Sequence, residues 1–138
     1  MKIVIDTNVV LDLLTSREPF VDAAELVFTA VASGQIQAAI TANTVTDIAY
    51  LLRKHLDREA IKTALLGLME LVEVLEISGR HCVAAFDLPI ADYEDALLTY
   101  CAKGWSADYI ATRNTKDFKD SPVLALEPGE LLNRLPAE

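Results

Sequence analysis

The sequence has 138 residues, 52% hydrophobic and 24% charged, with 21 acidic against 12 basic side chains and a net charge of −9. That length is most simply one domain spanning residues 1–138, able to bury a single sizeable core. No stretch approaches the ~20 uninterrupted apolar residues of a membrane helix and the N-terminus lacks the pattern of a secretion signal, so the expectation is a cytoplasmic protein with no membrane partner.

In chain order, Lys2 to Ile5 reads as a short buried strand. Asn8 to Leu14 reads as a helix closed by Thr15-Ser16-Arg17-Glu18-Pro19. Phe20 to Ser33 carries helical spacing in Ala24, Val27, Phe28 and Val31, and Gly34 is a natural stop. Gln35 to Ile40 is a second strand. Asn43 is suited to cap the next helix, whose apolar positions are Val45, Ile48, Ala49 and Leu52. Asp57 caps another, running through Ile61, Leu65 and Leu68. The longest apolar-rich region, Ala64 to Ile77, is broken by Gly67, Glu70, Glu73 and Glu76. Val72 to Ile77 is an ambiguous third strand, followed by a helix over Arg80 to Phe86. Asp92 opens a helix through Ala96, Leu97, Tyr100 and Cys101, ending near Gly104. Tyr109 to Thr112 and Val123 to Leu126 are short strands, and Pro128 to Leu135 is a closing helix. Cys82 and Cys101 form no CxxC and no metal-ligand spacing, and read as buried free thiols.

Strands alternating with helices imply an α/β fold, a parallel sheet covered on both faces. Sites in such sheets form beyond the carboxyl ends of the strands. Asp6 ends the first strand, Asp47 lies early on the helix after the second, and Asn114 and Asp117 follow the fourth. Asp95 lies on the first turn of the helix opened by Asp92. Asp108 sits at the opposite end of its strand and is set aside. Each acid also has a plain structural explanation: Asp6 and Asp92 as N-caps, Asp47 as a first-turn acid favoured by the helix dipole, Asp95 as a capping-box partner. Together they come from four separate segments and point to one sheet edge. Clustered like charges repel unless a cation neutralises them, and an all-oxygen donor set suits Mg²⁺ or Mn²⁺. His55 and His81 are isolated, and no phosphate-binding or dinucleotide glycine loop is present.

The segments IVIDTNVVLDLL, TANTVTDIAYLLRK and DYEDALLTYCAKGWSADYIATRNTKDF carry a likeness. With them the sequence resembles the PIN-domain family of metal-dependent ribonucleases, especially the VapC-type toxins of bacterial toxin–antitoxin pairs. The resemblance implies a PIN-like, Rossmann-like α/β/α sandwich that hydrolyses RNA with Mg²⁺ or Mn²⁺. Metal would be held by Asp6 and Asp95, with Asp47 and Asp117 completing the catalytic cluster or orienting waters. Thr7, Thr112 and Asn114 would support it. One position departs: the family usually has Glu where this chain has Asp47, shorter by one methylene, with an expected reach to the metal through water. The resemblance also implies a homodimer and a cognate antitoxin. An acidic chain is an unusual RNA binder, since phosphate neutralisation normally supplies much of the affinity. Arg113 and Lys116 are the candidates for phosphate contacts; Arg53, Lys54 and Arg58 form a second basic cluster. Two rival readings are a non-catalytic PIN-like module that binds RNA or protein, and a phosphohydrolase using Asp6 as nucleophile.

Overall fold

The computed structural model describes residues 1–136. Its elements are β1 (Lys2–Ile5), α1 (Thr7–Leu14), α2 (Val21–Ala32), β2 (Gln37–Thr41), α3 (Ala42–Leu52), α4 (Arg58–Leu71) and β3 (Glu73–Leu75). Then follow α5 (Gly79–Ala84), α6 (Tyr93–Gly104), β4 (Tyr109–Ala111), β5 (Leu124–Leu126) and α7 (Pro128–Asn133), with short 3-10 turns at Ala85–Asp87 and Thr115–Phe118. The strands form one five-stranded sheet in the order β3-β2-β1-β4-β5, parallel throughout.

Side chains on a strand alternate between its two faces, and here both faces are apolar. Ile3, Ile5, Ala38 and Ile40 enter a core with Val9, Val27, Phe28, Ile48, Leu65 and Leu131, which brings α1, α2, α3, α4 and α7 onto one side. Val4, Ala39 and Ile110 enter the other, against Leu98 and Ala102 of α6 and Phe118. Helices on both faces explain why these strands read as continuous apolar runs rather than as polar–apolar alternation.

Local signals place the ends of the elements. Asp6 and Asp57 accept hydrogen bonds from the first-turn amides of α1 and α4. Asp92 does the same for α6, and Gly34 takes φ +85° after α2, where an L side chain would be strained. Three expectations need correction. Asn43 is not the cap of α3, which begins one residue earlier behind Thr41; the Thr41 hydroxyl instead donates to Asn43 Oδ1 at 2.6 Å. The third strand shrinks to Glu73–Leu75: Glu73 is its exposed first residue, paired with Ala39, and the exposed Glu76 lies just past its end. The helix expected over Arg80 to Phe86 starts at Gly79, capped by Ser78 and His81, and tightens into a 3-10 turn at Ala85. Cys101 is buried and Cys82 half-buried, both as free thiols.

The strand order decides where a ligand fits. From β1 the chain moves outward to β2 and β3, then returns to lay β4 on the other side of β1. The reversal between β1 and β4 leaves a crevice at their carboxyl ends. Asp6 stands at that crevice, with the buried Thr112 bonded to it from the end of β4.

Candidate active site

Asp6 lies one residue beyond β1, its amide donating to Ala111 O at 2.9 Å, so the sheet hydrogen bonding continues just past the strand. Its Oδ1 accepts the Thr7 amide at 2.8 Å, and its Oδ2 accepts the Thr112 hydroxyl at 2.8 Å and Asn8 Nδ2 at 3.3 Å. Thr112 is fully buried and makes the complementary contacts: its Oγ1 also accepts Asn8 Nδ2 at 3.3 Å and the Asn114 amide at 3.1 Å. Thr7 meets Thr44 of α3, hydroxyl to hydroxyl, at 3.1 Å. One carboxylate is thereby held by its own helix start, through Thr7 and Asn8, and by Thr112 from 106 residues away.

A cleft of about 470 Å³ opens over Asp6. Asp47, Asp92, Glu94, Asp95 and Asp117 line it, together with Thr7, Asn8, Asn43, Tyr50 and Asn114. Asp6, Asp47, Asp95 and Asp117 therefore face the same space, as do Thr7 and Asn114. Thr112 sits beneath it, reaching the cleft through Asp6. The Asp92 side chain accepts the Asp95 amide at 3.0 Å, as an N-cap does. Glu94 is not among the acids the sequence singles out; its place between Asp92 and Asp95 hides it. Asn43 Nδ2 donates to Glu94 Oε1 at 3.4 Å, linking α3 to α6 across the cleft.

No basic side chain lines this cleft, and the acids perturb one another. Asp95 is pushed up to about 7, first by burial and then by the charges of Asp6, Asp92 and Asp117. Glu94 also rises to about 7, chiefly through a hydrogen bond shared with Asp47, with burial and the charge of Asp47 next. Burial raises Asp6, against the opposing hydrogen bonds from Thr112 and the Thr7 amide. Groups in a cleft whose titration is moved by burial and by like charges mark a candidate functional site. The donor set fits a hard divalent cation, being carboxylates and amide or hydroxyl oxygens. Among the described residues no three acidic, histidine or cysteine side chains are gathered into a ready-made cage. A hydrated ion needs none, since Mg²⁺ keeps several waters and takes one or two carboxylates.

The two cations expected at phosphate are not in the cleft wall, although Lys116 shares the 3-10 turn of the cleft-lining Asp117. Neither Arg113 nor Lys116 lines the cleft. Arg113 donates from Nε to Asp12 Oδ2 at 2.6 Å and from an Nη to Asp12 Oδ1 at 3.2 Å, and its guanidinium lies 4.0 Å from the centre of the Phe20 ring. Lys116 is exposed on the 3-10 turn after β4. Instead, Tyr50 lines the cleft, 60% exposed, with Arg53 stacked 4.0 Å from its ring centre.

The fold and the acidic crevice at its switch point define a class, and comparison with known proteins agrees. The model of the PIN domain matches residues 2–116, and the chain belongs to that family. No curated protein matches it. Among solved structures, VapBC-1 from nontypeable Haemophilus influenzae is 18% identical with a TM-score of 0.69, covering 94% of this chain and 99% of its own. VapBC2 from Rickettsia felis, bound to a DNA fragment from its promoter, is 18% identical with a TM-score of 0.67, covering 92% of this chain and 98% of that one. FitAcB from Neisseria gonorrhoeae is 19% identical with a TM-score of 0.67, over 92% and 98%. At that identity the likeness is one of fold.

Proposed function

We propose that this PIN domain is a divalent-metal-dependent endoribonuclease and the toxin of a toxin–antitoxin pair. The observation that supports it most is the lining of one cleft by Asp6, Asp47, Asp95 and Asp117, brought from β1, α3, α6 and the turn after β4. Family membership gives nuclease chemistry its prior, and the VapBC and FitAcB relatives motivate a cognate antitoxin.

A bound Mg²⁺ or Mn²⁺ would polarise the scissile phosphate and acidify a water. Asp6 and Asp95 would hold the ion. Asp47 and Asp117 would complete its surroundings or orient waters, with Asn114 as a neutral oxygen donor. Thr112, Asn8 and the Thr7 amide keep Asp6 in one orientation, so the donor does not reorganise when the ion arrives. Asp95 and Glu94 hold protons near neutral pH and release them as the site loads. Glu94, reaching towards the short Asp47 from α6, supplies a longer carboxylate from the facing side of the cleft.

The acidic lining repels phosphate, so RNA affinity rests on the ion and on the rim. Lys116 remains the candidate phosphate contact. Tyr50 presents a ring on which an unpaired base can stack, with Arg53 beside it. That favours single-stranded or looped RNA as the target class. A homodimer in the cytoplasm completes the proposal.

The test is cleavage of a panel of structured RNAs with Mg²⁺, with Mn²⁺ and with EDTA, comparing wild type with Asp6→Asn and Asp95→Asn. Metal-dependent cutting lost in both variants is the expected result. A folded, antitoxin-free wild type that cuts nothing in the panel would instead favour a non-catalytic RNA- or protein-binding module. Capture of a phosphorylated Asp6 would replace the proposal with an aspartate-nucleophile phosphohydrolase.

A further inference from the structure

Asp12 is the one charged side chain buried to 1% exposure among the described residues. It lies on the buried side of α1 and its carboxylate receives two guanidinium nitrogens of Arg113, from a position 101 residues away. The guanidinium also lies over the Phe20 ring at 4.0 Å, ahead of α2. A second cavity of about 410 Å³ borders the pair, lined by Asp12, Phe20, Arg113, Glu127 and Pro128, and shares none of its lining residues with the acidic cleft. A planar fork clamped to a carboxylate is far more directional than an ammonium in the same place.

The backbone of Arg113 is held by the same helix. Its amide donates to Asn8 Oδ1 at 3.2 Å, while Asn8 Nδ2 donates to Asp6 Oδ2 at 3.3 Å. Three side chains of the β1–α1 segment, Asp6, Asn8 and Asp12, thus grip two consecutive residues of the chain leaving β4. Asp6 holds the Thr112 hydroxyl, Asn8 the Arg113 backbone, and Asp12 the Arg113 side chain. The next residues are Asn114 and, within the 3-10 turn, Asp117, whose amide donates to Asn114 O at 3.0 Å.

We infer that Asp12 and Arg113 are a positioning pair for the metal site: by clamping the start of the post-β4 turn to α1, they set where Asn114 and Asp117 stand relative to Asp6. The pair touches neither ion nor substrate, and its effect passes through the turn. The cost of burying the Asp12 charge is offset by the bidentate contact with the partly exposed Arg113, which ties the turn to α1. This inference rests on the metal-site reading above.

The experiment is Mn²⁺ titration by calorimetry of wild type, Arg113→Lys, Asp12→Asn, Asp6→Asn and the control Arg17→Lys, whose guanidinium lies over the same ring at 5.9 Å. Circular dichroism melts confirm that each is folded at the titration temperature. Arg113→Lys keeps the charge beside Asp12 and loses only the fork. The expected result is an affinity about 10-fold weaker in both pair variants, with Arg17→Lys unchanged. Faster amide exchange at Asp117 would accompany it. Wild-type affinity in folded Arg113→Lys and Asp12→Asn, with Asp6→Asn defective, overturns the positioning role and leaves the metal site standing. Wild-type affinity in Asp6→Asn overturns both.

Discussion

Replacing Thr112 by Val removes one oxygen and keeps the shape. The hydroxyl is fully buried, donates to Asp6 Oδ2 at 2.8 Å and accepts the Asn114 amide at 3.1 Å and Asn8 Nδ2 at 3.3 Å. The lost bond to a carboxylate costs about 1.5–3 kcal/mol, the range for hydrogen bonds to charged groups. Asn8 and the Asn114 amide are nearer solvent and recover part of their contacts from water, so no larger figure is expected. A chain of this length melts with an entropy that turns each kcal/mol into roughly 3 °C. The melting temperature should therefore fall by about 5–10 °C. The loss also depends on pH. The Thr112 bond favours the ionised form of Asp6 and opposes the upward push of burial. Destabilisation is therefore largest where Asp6 is ionised, and shrinks as pH falls and the folded protein takes up that proton. Calorimetric melts of both proteins in EDTA across that range, followed by Mn²⁺ titration, check the argument. A Val variant melting within about 1 °C of wild type at high pH would refute it, since a loss that small lies well below that of any charged hydrogen bond.

Without divalent cations, stability should decline as pH rises from about 4 towards about 7, because Asp95 holds its proton in the folded state up to about 7 against an ordinary value of 3.8. Melts in EDTA should show that slope, Asp95→Asn should flatten it, and added Mn²⁺ should reverse it; a flat wild-type profile would contradict the assigned repulsion. Glu94→Gln should weaken Mn²⁺ binding and shift the proton release that accompanies it, since Glu94 shares its hydrogen bond with Asp47; calorimetry in buffers of different ionisation enthalpy measures both. Leu131→Ala, on the six-residue α7, should cost about 2–5 kcal/mol, because Leu131 is 0% exposed and joins α7 to the main core. Denaturant unfolding decides that, and a change under about 1 kcal/mol would mean that α7 is dispensable.

What the amino-acid order determined alone is local. Apolar runs of three residues, Ile3 to Ile5 and Ala38 to Ile40, gave β1 and β2, helical spacing gave α2 and α4, and Asp6, Asp57 and Asp92 each marked a helix start three or fewer residues before the amide they accept. These signals depend on neighbours within a turn, so they survive without knowledge of the fold. Asp6 was legible as a candidate site residue for the same reason, standing where a buried strand ends. Tertiary structure decided the rest. Glu94 belongs to the cleft only because α6 packs opposite α3 and brings Asn43 and Asp47 to it. Arg113 reads as a free cation beside the site until the fold delivers Asp12 from 101 residues away. A charge has no partner signal in sequence when its partner comes from a different element. Which groups a carboxylate or guanidinium meets is set by the order in which the strands pack, and that order is decided only when the two faces of the sheet are buried together.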